Sequence, residues 1–203
     1  MLLFHKSQQN ERQKMIYAIR HGQTDWNQKG IIQGGGSDCP LNSQGIQQAA
    51  LLAEKLKKFN ITKIYSSDLL RAKQTTEEIN KILKVEVFYS PLLRETNYGE
   101  VEGKDEVDIN KIEKYMKICN AIDAGDNNAH FPGGESRNMV VNRFIRFLQQ
   151  IKDNTNILIS SHGGILRSVS CLYGGEDKKI PNCGGISFSL DEKHRPQNIL
   201  FFE

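Results

Sequence analysis

Met15-Ile16-Tyr17-Ala18-Ile19-Arg20-His21-Gly22-Gln23 carries five apolar residues straight into an arginine, a histidine and a glycine. A short apolar run of this kind reads as a buried strand. A glycine behind it breaks the strand and permits a sharp turn. Arg20 and His21 therefore stand where a strand ends and a loop begins. In open α/β sheets, ligands bind outside the carboxyl ends of the strands. The pattern returns at Ile157-Leu158-Ile159-Ser160-Ser161, followed by His162-Gly163-Gly164. Two histidines delivered to one sheet edge, each followed by glycine, predict one site.

Working outward, strand and helix patterns alternate. A Gly-rich loop spans 28–40. Residues 43–58 carry Ile46, Ala49, Ala50, Ala53 and Leu56 at helical spacing. Residues 61–66 read as a strand. Asp68 is the expected N-cap of a helix with Ala72, Thr75, Ile79 and Leu83 on one face. Val85, Val87 and Tyr89 alternate like a strand. A charged helix is predicted over 105–124, a polar loop over 125–134, and a helix over 135–152 with Val140, Phe144, Leu148 and Ile151 inward. A helix over 165–173 follows the strand at 157–161. Strands at 186–190 and 199–202 pair across a turn at 191–197. Strands separated by helices predict an α/β fold, a three-layer α/β/α sandwich with a mostly parallel mixed sheet. The final strands are expected to add antiparallel edges. Residues 15–203 read as one domain, with 104–134 as an insertion over the site. Residues 1–14 read as a polar leader or a helical extension.

The chain has 203 residues, 38% hydrophobic and 25% charged, which suits a soluble globular domain. A net charge of +3 is too small to argue for nucleic acid. No run approaches the roughly 20 apolar residues of a membrane helix. The first residues are too short for a signal-peptide core. Cys39, Cys119, Cys171 and Cys183 form no C-x-x-C pair. Free thiols in a reducing, cytoplasmic compartment are expected.

The polar residues near predicted strand ends are Arg20, His21, Arg71, Glu95 and His162. Arginines offer planar paired donors to phosphoryl oxygens. A neutral imidazole nitrogen is a competent nucleophile. The helix start after Gly163-Gly164 offers N–H groups and a positive dipole end to an anion. A protonated carboxyl can supply a proton to a leaving oxygen. The set suffices for phosphoryl transfer without a metal or other cofactor. A metal site built on the two histidines and Glu95 lacks H-x-x-x-H spacing and would set arginine beside a cation. No metal is expected.

Arg20-His21-Gly22-Gln23-Thr24-Asp25-Trp26-Asn27 resembles the R-H-G-x-[ST]-x-W-N signature of the histidine phosphatase superfamily, in its phosphoglycerate-mutase-like branch. Further stretches match in order: Gln33-Gly34 with Asp38-x-Pro40-Leu41-x-x-x-Gly45, then Ser66-Ser67-Asp68-Leu69-Leu70-Arg71-Ala72-x-Gln74-Thr75. Glu95-x-x-Tyr98-Gly99-x-x-x-Gly103, Pro132-Gly133-Gly134-Glu135-Ser136 and Ser161-His162-Gly163-Gly164 complete the set. The resemblance implies a phosphoglycerate mutase-like fold. It implies His21 as the nucleophile, with Arg20, Arg71 and His162 on the phosphoryl oxygens. Glu95 would be the general acid and then the base that activates water. Asn27 would contact phosphate, and Gln33, Gly34, Tyr98, Gly163 and Gly164 would line the pocket.

The chain departs from that pattern in three places. One extra residue lies within Gly35-Gly36-Ser37. Gln23 stands where mutases often carry glutamate. Glu100, Glu102, Asp105 and Glu106 replace the longer basic insertion of cofactor-dependent mutases. If these acids face the pocket they repel a phosphoglycerate, which favours hydrolysis of a small phosphate ester over mutase activity. A mutase, and a regulatory protein that binds phosphate without turnover, stay open as alternatives. The expected partner is a small-molecule phosphate ester, not nucleic acid or membrane. A homodimer stays open.

Overall fold

A computed structural model describes residues 14–203. The leader read over 1–14 lies, apart from Lys14, outside the described residues. A six-stranded sheet has the order β3-β2-β4-β1-β5-β6. Its strands are β1 (Ile16–Arg20), β2 (Lys63–Ser66), β3 (Glu86–Tyr89), β4 (Ile157–Ser161), β5 (Gly185–Leu190) and β6 (Pro196–Phe202). β1, β2, β3 and β4 run parallel, β5 pairs antiparallel with β1, and β6 pairs antiparallel with β5.

Side chains alternate across each strand and separate two cores. Ile16 and Ala18 of β1 and Ile157 and Ile159 of β4 pack beneath α6 (Arg137–Leu148) and α7 (Gly163–Leu172). Tyr17, Ile19 and Leu158 point the other way, against α2 (Ser43–Leu56) and α3 (Leu70–Leu83). Apolar strands covered on both faces give the three layers.

Several expected boundaries move, each for a visible reason. The helix predicted over 105–124 is two: α4 (Glu106–Ile109) and α5 (Glu113–Asp123). Ile109 and Tyr115 both join a small core with Val101 and Phe131. Six residues apart on one unbroken helix, they would lie about 240° around its axis. The break at 110–112 brings them to one side. Leu69, not Asp68, is the N-cap of α3, because Asp68 is taken by a paired contact with Arg94 at 2.6–2.7 Å. Asp38 accepts the Leu70 N–H at that helix start instead. α6 begins after Ser136, since Glu135 is drawn out to Arg143. β6 starts at Pro196 rather than 199. The short helix α1 (Asp25–Gln28) has no apolar period to betray it. Among the described residues no helix is long and apolar enough to cross a membrane.

Gly22 is needed for a reason other than the turn expected of it. Its backbone sits back to back with Gly45 in the first turn of α2. A Cβ on Gly22 would fall 2.4 Å from the Gly45 carbonyl oxygen, and one on Gly45 would fall 2.1 Å from the Gln23 carbonyl oxygen. Helix propensity alone would favour alanine at 45 by roughly 1 kcal/mol. Overpacking reverses that sign. Gly45→Ala is expected to destabilise the protein by about 1–3 kcal/mol in urea unfolding. A gain in stability would mean that this contact does not constrain the loop.

Candidate active site

β1 and β4 pair in parallel with Arg20 opposite Ser161. The next residues, His21 and His162, thus emerge side by side, with ring centroids 5.2 Å apart. The His21 N–H donates to Ser161 O at 3.0 Å, which ties the two strand ends. β2 ends at the same edge and leads through Ser67 into α3, which carries Arg71. The loop after β3 brings Glu95. Because β5 is antiparallel, its beginning also reaches this edge, and Ile180, just before it, lines the site.

The His21 Nδ1 lies 2.7 Å from Gly22 O. A carbonyl can only accept, so Nδ1 carries the proton and Nε2 holds the lone pair. Arg71 Nε donates to that Nε2 at 3.2 Å. Arg71 is fully buried, and its other donors go to Ser37 O at 2.6 Å and Gly34 O at 3.1 Å. His162 is also fully buried, with Nε2 2.8 Å from Ser67 Oγ. Ser67 Oγ also accepts the Leu69 N–H at 3.3 Å, and its hydroxyl can either donate to that Nε2 or accept from it. Arg20 Nη1 donates to Ile180 O at 2.8 Å. Arg20 Nε, His162 Nδ1 and Gln33 Oε1 are buried without a protein partner. Arg20 Nε is a donor beside His21, and a buried donor normally finds an acceptor. An anion would supply it.

Glu95 is placed by backbone. Its Oε1 accepts from the Thr96 N–H at 2.8 Å and the Ile165 N–H at 3.0 Å, and its Oε2 from the Gly164 N–H at 2.9 Å. The α7 start therefore caps onto Glu95, rather than offering all its donors to a substrate anion as the sequence suggested. The two glycines make this possible. A Cβ on Gly164 would fall 2.6 Å from Glu95 Oε1, and one on Gly163 would fall 3.2 Å from Arg20 Nε.

A cavity of about 440 Å³ opens over His21. Arg20, Asn27, Gln33, Glu95, Tyr98, Gly163 and Gly164 line it, as read from the sequence. Gly34 does not: its carbonyl faces Arg71, and its Cα packs against the Glu102 side chain. Gln23 turns away as well, bonding Asn42 Nδ2 at 3.0 Å. Of the four acids expected at the pocket, only Glu106 lines it. Glu102 ties Gly36, Ser37 and Tyr98, Glu100 pairs with Lys114, and Asp105 caps α4. Asp123, Arg167 and Lys179 line the cavity unannounced. So does an apolar wall of Ile31, Ile32, Ile109, Ile122 and Phe131.

Sequence reasoning missed Asn182. Its Nδ2 donates to His21 O and Asn27 Oδ1, each at 3.1 Å, while the neighbouring Cys183 N–H donates to Arg20 O at 3.1 Å. Asn27 Oδ1 also accepts the Thr24 N–H, closing a capping box on α1. Burial pushes the Cys183 thiol up to about 12, so it behaves as an inert apolar group.

Burial, then Arg71 and Arg20, hold the His21 imidazole well below its ordinary 6.5. Burial and the same arginines, with His21 and Arg143, do likewise for His162. Both rings are neutral at neutral pH, the form a nucleophile needs. Burial, then Glu95, raises the Tyr98 hydroxyl.

Both histidines are depressed, so the sign of the pH effect is fixed. Above 6.5 the folded and unfolded chains hold neutral imidazoles and this contribution to stability is level. Below 6.5 the unfolded chain binds protons that the folded site refuses, and stability declines until the folded rings themselves titrate. The Cε1–H resonances of His21 and His162 should therefore move only well below pH 6.5, while urea stability falls from about 6.5 down to that titration. A His21 midpoint at or above 6.5 would contradict the neutral nucleophile.

A family model for the histidine phosphatase superfamily, branch 1, matches residues 16–187. A protein named a probable phosphoglycerate mutase of Proteus mirabilis is 35% identical over 151 residues, covering 73% of this chain and 69% of that one. A protein named a fructose-2,6-bisphosphatase of Danio rerio is 34% identical over 154 residues, covering 74% of this chain and 56% of its own length. The crystal structure of a phosphoglycerate mutase from Thermus thermophilus superposes with a TM-score of 0.73 at 30% identity, covering 93% of this chain and 99% of that one.

Proposed function

This chain belongs to the histidine phosphatase superfamily, and on that premise we propose that it is a phosphomonoesterase whose phosphoryl group passes through Nε2 of His21. The observation that carries the reading is Arg20 Nε, a buried donor left without an acceptor beside a neutral imidazole lone pair. A phosphoryl group presents the oxygen that donor lacks. His21 Nε2 attacks phosphorus, the ester P–O bond breaks, and Glu95 passes a proton to the departing alkoxide. Water then attacks the phosphohistidine, Glu95 takes its proton, the N–P bond breaks and phosphate leaves. Arg71 meets Nε2 through Nε and can shift that N–H to a phosphoryl oxygen as the N–P bond forms.

The cavity supports water as acceptor and an alcohol larger than a three-carbon acid. The residues that 104–134 turn to the cavity include Ile109, Ile122 and Phe131 with Glu106 and Asp123, and no cation. Such a wall suits an apolar or partly apolar alcohol. All four cysteines are free, which supports a reducing, cytoplasmic setting. Mutase activity is the second reading, favoured by Arg167 and Lys179, which could hold a second anionic group. A bisphosphate primer that raises isomerised product above free phosphate would decide for it.

His21→Ala should lower turnover of p-nitrophenyl phosphate by about a thousandfold or more. Acid-labile radiolabel from the substrate should appear on the wild type alone. Unchanged turnover in that variant would remove His21 from the chemistry. Glu95→Gln should slow alkyl phosphates by about a hundredfold, and p-nitrophenyl phosphate, whose leaving group needs no proton, far less. Equal slowing of both would take Glu95 out of proton transfer.

A further inference from the structure

Arg143 sits on α6 within an otherwise apolar stripe, nearly buried, and contacts none of the groups that would touch phosphate. Its guanidinium is nonetheless fully employed. Nη1 donates to Leu92 O at 2.8 Å and to Arg94 O at 2.7 Å, and Nη2 to Glu95 O at 2.9 Å. Nε and Nη2 also grip the two oxygens of Glu135, at 2.9 and 3.0 Å. Glu135 Oε2 in turn accepts the Asn97 N–H at 2.9 Å. Backbone at 92, 94, 95 and 97 is thus fixed on both sides of one residue. The carboxyl of that residue must reach the Gly164 and Ile165 N–H groups, where a single added Cβ would collide with it.

We infer that the Arg143–Glu135 pair is a positioning device that sets where the Glu95 carboxyl meets the reacting oxygen. The inference rests on the proton-transfer role proposed for Glu95. Three carbonyls and a carboxylate converge on one planar fork, a geometry that lysine's single ammonium cannot reproduce. An ion pair kept only for stability has weak grounds here, because buried pairs are often replaceable by apolar packing at no loss. What apolar packing could not supply is the orientation of consecutive loop carbonyls. A displacement on the order of 1 Å at a proton carrier is enough to cost about a hundredfold in rate.

The test compares turnover of an alkyl phosphate and of p-nitrophenyl phosphate in Arg143→Lys and Glu135→Gln, with Glu95→Gln as reference and thermal melts to establish folding. A positioning role predicts that both variants lose roughly ten times more activity on the alkyl ester than on the aryl ester, with KM little changed. A merely structural role lowers both esters in step, and that result overturns the inference. If Arg143→Lys does not fold, Glu135→Gln decides alone, since Glu135 is only half-buried and glutamine keeps one acceptor for the Asn97 N–H. If Glu95→Gln discriminates between the esters and these variants do not, positioning fails while the Glu95 role stands. If Glu95→Gln fails to discriminate, the Glu95 role falls and the positioning role with it.

Discussion

The parallel pairing of β1 with β4 is the constraint on which the site depends. Arg20 opposite Ser161 sets His21 beside His162, and the His21 N–H to Ser161 O bond holds that register past the last strand residue. Because side chains alternate along a strand, a slip of one residue would send Ile16 and Ala18 to the α2 face and Tyr17 to the α6 face. Each core fills one face of the same two strands, so the packing that stabilises the sandwich also specifies the distance between the histidines. Site geometry and hydrophobic burial are here one requirement, not two.

Three guanidiniums surround that pair, those of Arg71 and Arg143 buried and that of Arg20 partly so, and each is held differently. Arg143 has a carboxylate partner in Glu135. Arg71 is held by two carbonyls and an imidazole lone pair, with no bonded acid. Arg20 gives one donor to Ile180 O and leaves Nε unmatched. Carbonyl dipoles repay only part of the cost of removing a cation from water. The site therefore carries an excess of positive charge, which adds to burial, the larger cause, in keeping its histidines neutral. A dianionic ester relieves it directly. Binding to the folded chain alone would then raise stability by mass action.

The sequence makes some of this legible and conceals the rest for definite reasons. Apolar runs ending in Arg20-His21 and Ser161-His162 announce parallel strand ends because a buried strand has a simple signature and glycine marks its stop. Asn182 carries no such mark. It precedes an antiparallel strand, so it reaches the same edge only through the direction of β5, which no local pattern encodes. Arg143 is hidden by its neighbours, since a charge beside Val140 and Phe144 reads as a solvent position. The acids after Gly99 mislead in the opposite sense. Their composition suggests a negative pocket, yet Glu100, Glu102 and Asp105 each have a backbone or side-chain partner nearer than the cavity. Composition reports which charges exist, and local turns decide where they face.

The start of α7 shows how those partners divide the electrostatic work. A helix N-terminus is worth about 0.3–1 kcal/mol to an exposed anion and up to about 2 when partly buried. Here the Gly164 and Ile165 N–H groups go to Glu95. Donors spent on an internal carboxyl cannot also cradle a phosphoryl group. Phosphate charge must then be met by side chains, which is consistent with Arg20 Nε being a donor left unmatched. The arrangement exchanges a backbone anion nest, which mutation can hardly remove, for side chains that mutation can. In return the helix end holds the proton carrier without an added charge near His21. A lysine in that place would have added a further cation to a pocket already rich in them, and would have lowered the nucleophile's affinity for protons at the expense of the acid's position.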